Sequence, residues 1–343
     1  MLNPANSLPP HPPDLSLTVV AAAVAEQFGL LGDYLQVVSE RDQNFRLTTQ
    51  DGKRYVVKVT CLAQDPIVTD FQIAVLLHLE KRGVSGVPRI VRSKSGDNQG
   101  AVPTDDASDA SLRIVTWIDG QLLNDCDITS KISTQFGGRL AELDIALQDF
   151  SHVGDAQKLI WDTQRAGELR GLLVHVNDTD LRSLLEEVLD DFDNRVKPAL
   201  AALPSQVIHN DAHGENVLVN DAGDVTGIID FGDMLRAPRI VDVSTAAAYL
   251  RCDSSDPMQL IVPFVAAYHD INPLDSAELE LLFDLTRTRL IMTIILFYWR
   301  LSARPEDDPY RQKLVESEAD ACRFLRALSD IRRDAFLKRF RNY

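Results

Sequence analysis

Between Val207 and Gly232 the chain reads VIHNDAHGENVLVNDAGDVTGIIDFG, which sets His209, Asp211 and Asn216 in the pattern H-x-D-x-x-x-x-N and Asp230 at the head of D-F-G. A loop carboxylate beside an acceptor hydroxyl, followed by an amide and a second carboxylate that bind a hard cation, is the donor set of phosphoryl transfer. Magnesium, which keeps several waters and binds phosphate oxygens, suits such a set. On this reading Asp211 engages the hydroxyl that receives the phosphoryl group, and Asn216 and Asp230 are the magnesium ligands. A rival chemistry draws on His209, Asp211 and His213, which alternate at the period of a strand and would face a transition metal together. That rival leaves Asn216 and Asp230 idle and needs a strand through polar Asn210, Gly214 and Glu215. His209 reads better as a support for the loop, and Glu215 and Asp233 as acids to meet a substrate ammonium. Arg287 and Arg289 read as helix-surface or ion-paired arginines, with a substrate carboxylate as the alternative partner.

Positioning these groups takes short strands. Val207-Ile208 enters the site as a buried strand, Val217 to Val219 leaves it, Asn220 to Asp224 turns, and Val225 to Ile229 returns, lifting Asn216 and Asp230 to one end of a hairpin. Upstream, a helix over Leu17 to Phe28 precedes strands at Leu35 to Val38, Phe45 to Thr49 and Tyr55 to Val59, a small antiparallel sheet. Lys58 lies among apolar neighbours in the third strand and needs an anion, the place where a kinase lysine meets the α and β phosphates. The pattern predicts a helix over Val68 to Arg82, with Phe71, Val75 and Leu79 spaced by four. The glutamate of this helix, Glu80, lies too late to take the place where kinases carry the acid that orients the lysine; Gln72 and Asp70 are the nearest candidates. After a loose polar stretch from Ser93 to Asp109, a strand from Leu112 ends in a hinge, Thr116 to Ile118, whose backbone at Thr116 and Ile118 is expected to pair with adenine. Helices are expected over Ser133 to Leu147, Asp180 to Leu203 with a break near Pro198, Asp242 to Arg251, Met258 to His269, Ser276 to Leu301 and Asp307 to Leu328, interrupted only by the hairpin. The sum is an α+β chain: a mobile tail over residues 1–16, a nucleotide-binding lobe over 17–118, and a helical lobe over 119–343 with the catalytic loop and substrate pocket.

The chain has 343 residues, enough for two cores, and a formal charge of −16 from 35 basic and 51 acidic side chains. That charge disfavours nucleic acid and anionic membrane as partners and favours a small cationic substrate. The longest apolar run, Leu290 to Trp299, is too short to span a bilayer. The proline-rich start lacks the basic region of a secretory signal, and Cys61, Cys126, Cys252 and Cys322 are far apart, both pointing to a cytoplasmic protein with reduced thiols. Oligomeric state is not legible in the sequence.

Three stretches carry a family resemblance: Ser39-Glu40-Arg41-Asp42-Gln43-Asn44-Phe45 ahead of the lysine strand, Val207 to Asp211 with Gly214 and Asn216, and Arg289-Leu290 with Trp299-Arg300. On these residues the chain, from about Phe28 to Tyr310, resembles the aminoglycoside phosphotransferase and choline kinase family, and within it the hydroxylysine-kinase-like branch. The resemblance implies a protein-kinase-like two-lobe fold with a small antiparallel sheet and a mostly helical lobe, ATP and magnesium as cofactors, and a hydroxylated small molecule as acceptor. It implies that the turn Ser39 to Phe45 covers the nucleotide phosphates, through Ser39, Arg41 and Asn44, and that Asp242 is a structural acid beside the catalytic loop. Taken alone, Asp242 could equally cap its helix. Only about ten residues separate Gly232 from Asp242 and no A-P-E segment follows, leaving little room for the loop on which protein kinases dock peptides. Two further readings stand beside a metabolic kinase: an aminoglycoside-type antibiotic phosphotransferase, and an inactive nucleotide-binding module, which the missing helix glutamate favours and Lys58, Asp211, Asn216 and Asp230 oppose.

Overall fold

The computed structural model describes residues 12–37, 39, 41–60, 64–104, 109–252, 254–302 and 310–340. The strand end expected at Val38, Glu40 of the phosphate turn, Cys61 and the helix start at Asp307 lie outside these residues. The described chain divides into two units, one running to Asp119 and including His152–Gly154, the other formed by Gly120–Ser151 and the residues from Asp155 onward.

The first unit is built on the antiparallel sheet. Helix α1 (Leu17–Phe28) is capped by the Ser16 side chain and ends at Gly29, whose φ of 71° is the left-handed conformation that glycine adopts without strain. Strands β1 (Gly32–Val37), β2 (Asp42–Thr49) and β3 (Arg54–Thr60) follow, then helix α2 (Pro66–Lys81) and strands β4 (Gly100–Val102) and β5 (Ala110–Thr116). The sheet order is β1-β2-β3-β5-β4. Phe45, Leu47, Val57, Val59, Leu112 and Ile114 of one sheet face pack with Val20, Val24 and Phe28 of α1, while Lys58 and Arg113, paired across β3 and β5, lie on the other face. In α2 the side chains of Phe71, Val75 and Leu79 are all fully buried, as their spacing of four requires. Strand β4 falls inside the stretch expected to be loose; at three residues its pattern is too short to register against the polar residues around it. Leu15 and Ser16, assigned to the tail by sequence, are held: Gln43 accepts from the Leu15 N–H at 3.0 Å and donates to its carbonyl at 2.9 Å.

The second unit opens with strand β6 (Gln121–Leu122) and helix α3 (Ser130–Leu147), then 3-10 turns over Thr163–His175, helix α4 (Thr179–Asp191) and the short helix α5 (Lys197–Leu200). The expected break near Pro198 comes earlier, as a π-helical turn over Phe192–Val196. Proline has no N–H to return to the preceding turn, so the helix widens before it rather than at it. Strands β7 (Gln206–Ile208), β8 (Val217–Val219), β9 (Val225–Ile228) and β10 (Leu235–Ala237) follow, then helices α6 (Ile240–Tyr249), α7 (Ile261–Ile271), α8 (Ser276–Ser302), α9 (Tyr310–Ser329) and α10 (Arg333–Lys338). The hairpin of the sequence reading, β8 and β9, thus lies in the small sheet β6-β8-β9, and the strand that enters the site, β7, pairs instead with β10. Helix α8 is buried on every side from Leu281 to Met292, arginines included. Among the described residues no helix is long and apolar enough to cross a membrane.

Candidate active site

Strand β7 pairs with β10, and β8 with β6 and β9, so the segment from His209 to Asn216 bridges the two sheets as a loop. Asn210 (φ 65°) and Asp230 (φ 61°) are the non-glycine residues with left-handed backbone among those described, and both stand at this loop. Asn and Asp tolerate that region better than other side chains, and such strain persists where surrounding bonds hold it. Here Asp242, fully buried in the first turn of α6, supplies two of them: its carboxylate accepts the backbone N–H of His209 at 2.8 Å and of Asn210 at 2.7 Å. It is not the helix cap; that position is Arg239. The His209 ring is occupied at both nitrogens, Nε2 at 3.0 Å from the Ile229 carbonyl and Nδ1 accepting from the Asp211 N–H at 3.3 Å, and lies edge-on to Phe231. It therefore supports the loop, and the transition-metal set of His209, Asp211 and His213 is not assembled; no cluster of three His, Cys, Asp or Glu suited to a metal occurs among the described residues.

Both oxygens of Asp211 are held. Oδ1 accepts from Arg289 Nη2 at 3.0 Å, and Oδ2 from Asn216 Nδ2 at 2.9 Å, with His213 Nε2 at 3.3 Å. Arg289 is almost fully buried; it also donates to the Trp161 carbonyl at 3.0 Å and lies over the rings of Trp161 and Tyr249, 5.0 and 5.8 Å away. His213 stacks on Tyr249 with ring centres 4.8 Å apart. Burial opposes charge on both Asp211 and His213, but their mutual attraction outweighs it. The His213 charge, then that of Arg289, holds the Asp211 carboxyl far below the usual carboxylate range, and Asp211 pushes His213 up to about 9. With a side chain 19% exposed, Asp211 keeps an open edge while fully ionised. Arg289 is thus a clamp on Asp211 rather than an arginine awaiting a substrate carboxylate, and Arg287 lies beside Glu187 and Asp191 at 3.4 and 3.6 Å.

Asn216 and Asp230 meet at the same end of β8 and β9, where the Ile229 N–H donates to the Asn216 carbonyl at 2.8 Å. The Asn216 amide nitrogen is engaged with the Asp211 carbonyl and carboxylate, each at 2.9 Å, which turns its Oδ1 to the opposite side. Asp230 is exposed, with one carboxylate oxygen accepting the Gly232 N–H at 3.2 Å. One amide oxygen and one exposed carboxylate fit a hard cation that takes its remaining ligands from water and phosphate. Glu215 is exposed and Asp233 half-buried on the flanking segments.

In the first unit, strand register aligns Asn44, Lys58 and Arg113 in one row across β2, β3 and β5. The acid beside Lys58 is Asp42, 3.7 Å from its Nζ. Neither residue expected from α2 takes that place. Gln72 accepts from Arg113 Nη1, and Asp70 pairs with His152 at 3.1 Å on the surface. Arg113, buried, also donates to Thr60 at 3.0 Å and to Asp42 at 3.4 Å. Ser39 accepts from the Asp42 N–H at 3.4 Å, and Arg41 is half-buried in the same turn. Of the two hinge residues expected to meet adenine, Thr116 has its N–H and hydroxyl bonded to the Arg89 backbone, each at 2.9 Å. Its N–H is therefore unavailable, whereas Ile118 makes no backbone hydrogen bond of this kind among the described residues.

Residues 34–282 match the phosphotransferase enzyme family APH. The chain belongs to that family. It is accordingly an ATP-dependent phosphotransferase, a small-molecule kinase acting on hydroxyl groups, with a protein-kinase-like α+β fold. It is similar to the hydroxylysine kinase of Mus musculus, 25% identical over 315 residues and 84% of each chain, and to that of Danio rerio, 25% identical over 354 residues, 96% of this chain and 95% of the other. In fold it is similar to an amicoumacin kinase solved with AMP-PNP and Ca2+, with a TM-score of 0.70 and 16% identity over 92% of this chain and 94% of that one.

For this phosphotransferase the sequence alone does not single out Arg113, Tyr249 or Trp161, gives Asp42 only as one residue of the turn ahead of the lysine strand, and names no acid to pair with Arg289. One signal was available: Arg289 stands at the head of the apolar run Leu290 to Trp299, where burial is expected, and a buried arginine is paired. Which acid pairs with it depends on packing between segments 78 residues apart.

Proposed function

We propose that this phosphotransferase moves the terminal phosphoryl group of ATP to the hydroxyl of a small, amine-bearing metabolite of the hydroxylysine kind. The observation that carries the assignment of roles is the clamping of Asp211 by Arg289, His213 and Asn216. A carboxylate so strongly ionised is a weak base, so Asp211 acts chiefly by orienting the acceptor hydroxyl and takes its proton late, as a loose phosphoryl-transfer transition state allows. Asn216 and Asp230 are the residues that would hold magnesium, which would supply charge neutralisation at the phosphates. Lys58, held near Asp42, meets the α and β phosphates; Ser39, Arg41 and Asn44 cover them; Ile118 is the hinge residue that meets adenine. Similarity to two hydroxylysine kinases supports the acceptor class, and the formal charge of −16 accords with a cationic substrate.

A panel of acceptors tests the proposal. Hydroxylysine, choline, homoserine and aminopropanol are compared with aminoglycosides by acceptor-dependent ADP release in magnesium-ATP. We expect the highest kcat/KM with a hydroxylated amine of amino-acid size. Turnover confined to aminoglycosides would shift the assignment to an antibiotic phosphotransferase. Thermal stabilisation by ATP with no turnover on any member would favour the binding module.

A further inference from the structure

Behind the catalytic loop lie two acids buried side by side, Asp242 on α6 and Asp144 on α3, both with 0% exposure. Asp242 already accepts two backbone N–H groups, from His209 and Asn210. Asp144 accepts the Tyr268 hydroxyl at Oδ2, 2.5 Å away; that hydroxyl in turn accepts from Asn272 Nδ2 at 3.1 Å, and the Asp144 carbonyl accepts from Gln206 at the start of β7. Asp144 Oδ1 is buried with no hydrogen-bond partner, and the charge that acts on it most strongly is that of the neighbouring Asp242 carboxylate. The other charged group on this side, Arg239, is bound to both oxygens of Glu278 at 2.8 and 2.7 Å.

We infer that Asp144 is kept as a neutral carboxylic acid whose Oδ1 proton is donated to the Asp242 carboxylate, and that this acid pair positions the catalytic-loop backbone at His209 and Asn210. Two adjacent buried carboxylates with no cation of their own cannot both be ionised. Asp242, with two amide donors at short range, is the better place for the charge, and the bare Asp144 Oδ1 is the atom left to carry the proton. Every donor then points one way, from Asn272 to Tyr268 to Asp144 to Asp242, and the negative charge ends on the carboxylate that meets the two loop amides. Burial and, next, the Asp242 charge push the Asp144 carboxyl well above the usual range; burial raises Asp242 as well, so the pair retains one proton. The groups facing the pair are Tyr268 from α7, His209 from the loop, Arg239 at the start of α6 and Glu278 of α8. The geometry that permits this is the contact of α3 with α7 at Gly137, where an added Cβ would stand 2.1 Å from the Phe264 carbonyl. Asp144 is a positioning residue; it reaches the reaction only through Asp242.

The kinetic side of the test rests on the functional reading, but the proton itself is read without it. An infrared difference spectrum of the intact protein against Asp144→Asn at neutral pH should show the C=O stretch of a protonated carboxylic acid that shifts in D2O. The amide side chain of Asp144→Asn would keep an oxygen for Tyr268 and offer its N–H to Asp242, so this variant should fold and keep kcat within about threefold of wild type. Asp144→Ala leaves Asp242 without its donor and should lose kcat roughly 10- to 100-fold with little change in the KM for ATP, or fail to fold where Asp144→Asn folds. Absence of the carboxylic acid band, or an Asp144→Asn variant as impaired as Asp144→Ala, would overturn the inference. A protein with the band but no phosphotransfer on any acceptor would count against the functional reading alone.

Discussion

Asp211 and His213 form an ion pair whose strength is visible as a pH dependence of stability. The folded protein holds the His213 proton up to about pH 9, against an ordinary value of 6.5. Below 6.5 the ring is charged in both folded and unfolded chains, and the pair contributes in full. Between 6.5 and about 9 the unfolded chain loses its proton first, so the contribution declines, and above 9 it is gone. The expected outcome, read by thermal unfolding without nucleotide and with a chelator, is a Tm difference between wild type and His213→Gln that is largest below pH 6.5 and vanishes on the alkaline side. A difference that does not change with pH would show that His213 contributes by packing on Tyr249 alone. The placement of Asn216 and Asp230 at one end of the hairpin, with Asp211 on the preceding loop, was legible in the sequence because all three sit within one short segment whose strands and turn are local signals. Arg289, which holds Asp211, and Asp144, which lies behind Asp242, come from helices distant in sequence, and a linear pattern carries no information on which helix face reaches the loop.

At the scale of elements, close packing of α3 on α7 sets where Asp144 and Tyr268 meet. Gly137→Ala should force the two helices apart, lowering stability by about 1–3 kcal/mol, measured as a fall in Tm with a parallel loss of kcat; an unchanged Tm would mean that the contact yields without cost. Helices α1, α2 and α8 were readable because capping residues and apolar spacing are local signals: Ser16 and Gly29 bound α1, and Phe71, Val75 and Leu79 mark the buried stripe of α2. Strands β4 and β10, three residues each, were not, since their existence depends on partners β5 and β7 rather than on their own pattern. The acid beside Lys58 escaped for the same reason. Asp42 reaches it across a strand ladder, whereas the reading looked for it on α2.

At the scale of the whole molecule, the candidate residues fall in both units: Lys58 on a five-stranded sheet in one, and in the other Asp211 and Asn216 on the loop between two small sheets and Asp230 after β9. The central claim is that phosphoryl transfer to a hydroxyl depends on the clamped carboxylate of Asp211. The most direct measurement follows the reaction of magnesium-ATP with hydroxylysine by 31P NMR, for wild type and Asp211→Asn, alongside nucleotide binding by calorimetry. We expect a phosphomonoester formed in equal amount with ADP by the wild type, and a rate at least roughly 100-fold lower for Asp211→Asn at unchanged nucleotide affinity. An Asp211→Asn variant that forms the phosphomonoester at the wild-type rate would contradict the account.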